Sequence, residues 1–302
     1  MTTNALDTLP VEKEELKIVF KEELLTLLRN RSAMVSMAIV AFVVLIAIFA
    51  PLVSPYDPNV QDYANRLTAP SAEHWLGTDR AGRDTLSRLI YGARVSLIVG
   101  LSSVVLSTLI GVPLGILSGY YGGWLDDVLM RVIDALMAFP ALIMALMILA
   151  ALGDGLTNVV IAIAVAFVPR FARLARAPTL AVKEREFVEA AQAQGMNDLR
   201  ILAVHIFPNV MAPIIILATL YLANAIRQEA NLSFLGLGVQ PPTATWGNMI
   251  RDGMVVLRDA PSLALTSGFA IIVIVLAFNI LGDGIRDAFD PKLRGEGAVA
   301  KE

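Results

Sequence analysis

The sequence predicts an all-α membrane protein with about six transmembrane helices. Three observations carry that prediction. Of the 302 residues, 56% are hydrophobic and 17% are charged, against roughly 25% charged in soluble domains. The mean hydropathy is +0.67. The apolar residues also gather into segments approaching the roughly 20 that a helix needs to cross ~30 Å of hydrocarbon. A formal net charge of −3 gives no footing for a nucleic-acid partner. The absence of Cys excludes disulfides and thiolate chemistry. Two His without neighbouring ligands predict no bound metal.

The elements follow in chain order. Residues 1 to about 11 are expected to be disordered. Leu16, Val19, Phe20, Leu24, Leu27 and Leu28 then form an apolar stripe of helical period, with Glu and Lys opposite. That pattern fits a helix lying on the membrane surface or packed on a partner subunit. The first span is Ala33 to Val53, too long for a signal-peptide apolar region and without a clear cleavage site. It is read as retained.

The second span runs from Val95 to Leu117. Gly111, Gly115, Gly119 and Gly123 recur there every four residues, a spacing that lets two membrane helices approach closely. Pro113 in the same helix suggests a kink. The third span begins near Val128 and is free of charge from Ala135 to Leu152. The fourth lies between Asp154 and Arg170 and is short, or continues past Arg170. The fifth runs from about Ile206 to Ile226, and the sixth from about Pro261 to Gly282.

Lys and Arg cluster in the N-terminal segment, between Arg170 and Arg200, and in the tail from Arg286. With six alternating spans all three fall on one side, which the positive-inside rule makes cytoplasmic. Both termini are therefore expected in the cytoplasm.

Between the fourth and fifth spans stands a charged, amphipathic stretch, Val188 to Pro208. Residues Glu184 to Gln194 suit a helix. Gly195 supplies a stop, where a left-handed conformation costs little. Asn197 or Asp198 then caps a second helix, which is expected to end at Pro208 and Pro213. Phe187, Ala190, Ala191 and Gln194 share a face that fits a groove, and the Glu189 carboxylate beside it accepts charge-assisted hydrogen bonds. Periodicity alone also suits a plain solvated connection.

The residues here resemble a known family. Glu189-Ala190-Ala191, three residues, Gly195, nine residues, then His205-Ile206-Phe207-Pro208 resembles the EAA loop of ABC-importer permease subunits. The usual ending there is Ile-x-Leu-Pro; His205 in the first place resembles the peptide-permease branch, and Phe207 in place of Leu keeps an apolar contact. "HWLGTDRAGRDTLSRLIYGARVSL" (His74 to Leu97) resembles the outer segment of the second-type permease of dipeptide, oligopeptide, glutathione and nickel importers. "LSFLGLGVQPPTATWGNMI" (Leu232 to Ile250) and "AFNILGDGIRDAFDP" (Ala277 to Pro291) resemble later segments of the same proteins.

The resemblance implies the type I importer permease fold. It divides the chain into a cytoplasmic tail (1–32), a first helix and outer loop (33–92), the permease domain (93–285, coupling loop about 170–209) and a second tail (286–302). It implies a bacterial inner-membrane location and a heterodimer with a sister permease in lipid. Further partners are one or two cytoplasmic ATPase subunits and an extracytoplasmic binding protein. The coupling residues carried over are Glu189, Ala190, Ala191, Gly195, His205 and Pro208, docked in a cleft of the ATPase. This chain has no G-x-x-x-x-G-K-[ST], so ATP and Mg²⁺ are expected in the partners and no catalysis in this chain. The implied cargo is a di- or oligopeptide, with nickel, glutathione or another small solute as alternatives.

Charged residues near the spans complete the candidates. Arg131 and Asp134 are spaced for mutual pairing, and Arg227 and Glu229 close the fifth span. Asp79, Arg80, Arg83 and Asp84 are expected to form an internal ion network or to contact the binding protein. Pro241, Pro242 and Trp246 lie in an outer loop that shapes a gate or docking surface. An ion-coupled transporter or channel would need a chain of buried carboxylates, and these spans nearly lack Asp and Glu. An intramembrane enzyme would need a motif such as H-E-x-x-H or G-x-S-x-G, and neither occurs.

Overall fold

The computed structural model describes residues 27–289 except Arg29. The expected surface helix at Leu16 to Leu24, the disordered start and the tail beyond residue 289 lie outside the described residues. Within them the chain is helical, with no strand. The helices are α1 (Arg31–Ile48), α2 (Ala50–Val53), α3 (Thr85–Tyr121), α4 (Gly123–Met137), α5 (Ala141–Leu152) and α6 (Leu156–Lys183). Then follow α7 (Glu186–Ala193), α8 (Asp198–Ile201), a π-helical segment (Leu202–Ile206), α9 (Phe207–Phe234), α10 (Trp246–Val255) and α11 (Pro261–Phe289). Among the described residues five helices are long and apolar enough to cross a membrane, or six if the bent pair α4 and α5 is one span.

The centre of the bundle is the pair α3 and α6. Gly111, Gly115 and Gly119 lie against Val168, Phe171, Ala172 and Thr179, and a methyl group on Gly115 would stand 2.1 Å from the Ala172 carbonyl oxygen. Without side chains at these positions the two backbones come close and gain dispersion contact that lipid cannot match. Buried Ser103, Ser107 and Ser118 on α3 keep the seam narrow. The fourth member of the glycine series does not join it. The helix ends at Tyr121, Gly122 and Gly123 take positive φ, and nothing lies within 4 Å of a Cβ on Gly123. Gly123 is a turn residue, not a packing one. The helix also runs unbroken through Pro113.

The third expected span is broken. Helices α4 and α5 meet at 92°. Pro140 precedes α5 and disfavours helical backbone at Phe139. At 12 residues, α5 is ~18 Å long and does not cross the bilayer alone. The fourth span does continue past Arg170, as α6 reaches Lys183.

Helix α9 packs on α3, α6, α10 and α11, while α1 rests on α11 and α3. The strand of contacts fixes the ends. Tyr120 at the close of α3 touches Asp198, whereas Trp246 touches Leu89 near its start. Ala264 near the start of α11 lies beside Gly253, and Ala33 beside Gly284. The start of α1, the α7–α8 hairpin and the end of α11 therefore share one end of the bundle.

Candidate functional site

The hairpin is built from local rules. Helix α7 starts after Arg185 in extended conformation and turns Val188 and Ala191 inward, at 0% and 5% exposure. They join a cluster with Val182, Ile201, Leu202, Ile206 and Val210. Gly195 then adopts φ +75°. Its N–H donates to the Gln192 carbonyl (2.9 Å), and that of Met196 donates to the Ala191 carbonyl (3.1 Å). This is a Schellman stop, in which a left-handed residue satisfies the last free carbonyls of a helix. Asn197 caps α8, its Oδ1 accepting from the Arg200 N–H at 2.9 Å. The expected helix, Gly turn and capped helix are all present.

The second arm differs from expectation. It does not end at Pro208 or Pro213 but runs as one helical rod from Asp198 to Phe234. Pro208 lacks an N–H and its ring crowds the carbonyl four residues back. The π segment Leu202–Ile206 lies just before it, and its wider turn loosens the ladder where Pro208 enters. The hairpin and the fifth span are thus a single lever.

Side chains tie this lever to the bundle. Tyr120 Oη donates to Asp198 Oδ1 at 3.0 Å, and Gln192 Nε2 reaches Tyr120 Oη at 3.5 Å. Lys183 Nζ donates to the Gly119 carbonyl at 3.0 Å. The Phe187 and His205 rings lie 5.9 Å apart, closing the two arms on each other. Asp126 in the first turn of α4 accepts from Arg176 Nε at 2.6 Å and from Ser118, joining α4, α6 and α3. Asp134 pairs with Arg173 of α6. The expected Arg131–Asp134 pair is absent, because α4 turns Asp134 toward α6 and leaves Arg131 exposed.

What remains open on the hairpin is specific. Glu189, Ala190 and Gln194 are exposed, and Phe187 is half-exposed. Ala191 is not on that face: it packs inward, which corrects the expected four-residue patch. Leu199, Val204 and Phe207 add exposed apolar surface on the second arm. Pro208 is exposed and His205 half-buried.

At the other end of the bundle, the outer-loop candidates are scaffold. Asp79 accepts from Arg83 Nε at 2.6 Å and lies 3.3 Å from Arg88 Nε, and Arg83 reaches Asp252 at 3.6 Å. Asp84 caps α3 through Ser87 N–H (2.7 Å) and meets His74 Nδ1 at 2.9 Å. Trp246 is buried and donates from Nε1 to the Leu89 carbonyl at 3.0 Å. Asp79, Arg83, Asp84 and Trp246 are all buried, so none offers an open docking surface in this conformation. Arg80 is exposed and outside the network. Arg88, 2% exposed and donating to the Pro58 carbonyl at 3.1 Å, belongs to it and was not anticipated. The Asp79-x-x-x-Arg83 spacing of four was its only sequence signal.

Glu229 does not pair with Arg227. It is fully buried, accepting from Ser96 Oγ (3.0 Å) and Ser233 Oγ (2.7 Å). Arg227 turns to Asn224 Oδ1 at 2.6 Å. Among the described residues no group of three or more His, Cys, Asp or Glu is placed to hold a metal ion.

Residues 111–295 match the model of the binding-protein-dependent transport system inner membrane component, and residues 20–70 that of the N-terminal TM domain of oligopeptide transport permease C. The chain is similar to the dipeptide transport system permease protein DppC of Alkalihalophilus pseudofirmus, at 46% identity over 91% of this chain and 90% of that protein. It is similar to the glutathione transport system permease protein GsiD of Escherichia coli, at 42% identity over 96% and 97%. A solved inward-facing chain of the MetNI methionine ABC transporter superposes with a TM-score of 0.55 at 18% identity. It covers 67% of this chain and 97% of that one, a likeness of fold.

Proposed function

Because the chain belongs to the family of binding-protein-dependent transport system inner membrane components, we propose that it forms half of an ATP-driven import path for di- and oligopeptides. The supporting observation is the α7–α8 hairpin. Its inner face is locked to the bundle, its outer face carries Glu189, Ala190 and Phe187, and its second arm is continuous with a membrane helix. Such an element transmits displacement and does no chemistry.

In this reading a cytoplasmic ATPase subunit seats the open face of the hairpin, Glu189 anchoring it by hydrogen bonding and Ala190 allowing close approach. Nucleotide binding in the ATPase pair moves the hairpin. The rod from Asp198 to Phe234 then tilts against α3 and α6, and the path alternates between inward-open and outward-open arrangements. A sister permease supplies the other half, and an extracytoplasmic binding protein delivers cargo on the face opposite the hairpin. Both termini and the hairpin are cytoplasmic, as the Lys and Arg distribution suggests. ATP and Mg²⁺ sit in the partner subunits. The permease unit is residues 93–285, flanked by the first helix with its loop and by the two tails.

Peptide is the cargo favoured by the 46% identity to the dipeptide permease. Glutathione, itself a short peptide, is the second reading, supported by the 42% identity to its permease. The test is transport by the purified complex in vesicles with its binding protein. ATP-dependent accumulation of labelled dipeptide, with ATPase subunits copurifying, is the expected result. Accumulation driven by an ion gradient without ATP would refute it, and uptake of glutathione alone would select the second cargo.

A further inference from the structure

Along the flank of the bundle, between α1, α3, α9 and α11, runs a groove of about 500 Å³. Val44, Ile98, Leu101, Ile226 and Phe278 are among its apolar walls, and among the described residues Arg94 is the only ionisable side chain lining it. Arg94 is exposed, and no hydrogen bond or ion pair of its side chain occurs among the described residues. It is the last charge before an uncharged run from Val95 to Leu125. It therefore stands where hydrocarbon gives way to headgroups, at the end of the bundle away from the hairpin. Leu101 lies seven residues further, ~10 Å deeper along the helix. The surface around the groove is apolar too: Phe42, Leu45 and Leu101 are all more than half exposed.

We propose that this groove holds one glycerophospholipid, an acyl chain lying between α1 and α3 and the phosphate seated on Arg94. The assignment follows from the mixed chemistry. Peptide cargo needs polar partners for its amide groups and termini, and these walls offer none beyond one guanidinium. A helix of another protein would fill the apolar part but bury Arg94 against hydrocarbon, unless it carried a carboxylate at that depth. A phosphodiester accepts the guanidinium fork in a bidentate way, and the attached chain fills the rest. The volume falls within the about 300–1,000 Å³ of ordinary ligand clefts. The lipid adds to the packing of α1, whose contacts among the described residues are chiefly with α11, α3 and short α2.

The experiment uses the full complex in nanodiscs of phosphatidylethanolamine and phosphatidylglycerol, with a trace of either lipid carrying a photoreactive group in its acyl chain. After irradiation, labelled peptides are mapped. Labelling concentrated on residues 40–48 and 94–101 is expected, reduced at least fivefold by Arg94→Ala, only partly kept by Arg94→Lys, which retains the charge without the fork, and unaffected by Arg80→Ala. Copurification of the other subunits checks that each variant has folded. Comparing the two lipids shows whether the phosphate alone or net negative charge is read. Equal labelling at Ile98 and at Leu109, exposed on α3 and outside the groove lining, would mean ordinary bulk lipid and overturn the proposal. So would an oxidant-induced disulfide between Ile98→Cys and a cysteine introduced into a membrane helix of the sister permease, which would show a protein helix in the groove.

Discussion

A methyl group on Gly115 would collide with the Ala172 carbonyl at 2.1 Å, while one on Gly123 would meet nothing. Gly115→Ala is thus expected to cost about 1–3 kcal/mol through overpacking, read as a lower melting temperature of the purified complex. Gly123 needs only positive φ, which Asn also adopts, so Gly123→Asn is expected to leave that temperature nearly unchanged. The four-residue glycine spacing was readable in sequence, but where the helix stopped was not. At Asp79 the logic is electrostatic. Arg88→Met removes one of two cations from a buried carboxylate, and breaking a buried pair costs about 3–5 kcal/mol. Thermal unfolding of that variant should show the larger loss, and Arg80→Met almost none. Sequence marked Asp79 and Arg83 but gave no sign of Arg88, whose partners Pro58 and Pro242 come from distant loops. Glu229 was hidden for the same reason: Ser96 lies 133 residues away.

The hairpin is the element most fully legible in the chain, because its turn obeys local rules. Its stop and cap need no distant contact, whereas its inward positions do: Ala191 was expected on the open face and packs with Val188 into the bundle. Two prolines were harder. Pro140 broke a span that its apolar run had suggested was continuous, since the backbone bias before proline outweighed hydropathy. Pro208 did not end a helix, since the π turn absorbed it. For Gly195, φ +75° and an empty surround make the backbone the only issue. Gly195→Val is expected to leave the complex assembled and hydrolysing ATP while peptide uptake falls at least tenfold. Gly195→Asn should restore most of the uptake. A Val variant that transports at the normal ratio of peptide to ATP would remove the hairpin from the coupling path.

Across the whole molecule, the close-packed pair α3 and α6 forms a fixed frame, and α9 with its hairpin forms the lever set against it. The start of α1, the hairpin and the end of α11 share one end, where Arg31, Lys183, Arg185, Arg200 and Arg286 stand. The number of spans was less legible than their places along the chain, because α4 with α5 bends within a single apolar run. Everything proposed about energy transfer requires that this end face the ATP. The chain has no cysteine, so one introduced thiol reports its side without background. The measurement is labelling of Ala190→Cys and, separately, Glu73→Cys by a membrane-impermeant maleimide in cells with a permeable outer envelope and an intact inner membrane. The account predicts that Glu73→Cys reacts at once and Ala190→Cys only after the inner membrane is opened and the ATPase subunits are stripped from the hairpin. Immediate reaction of Ala190→Cys in intact cells would contradict it.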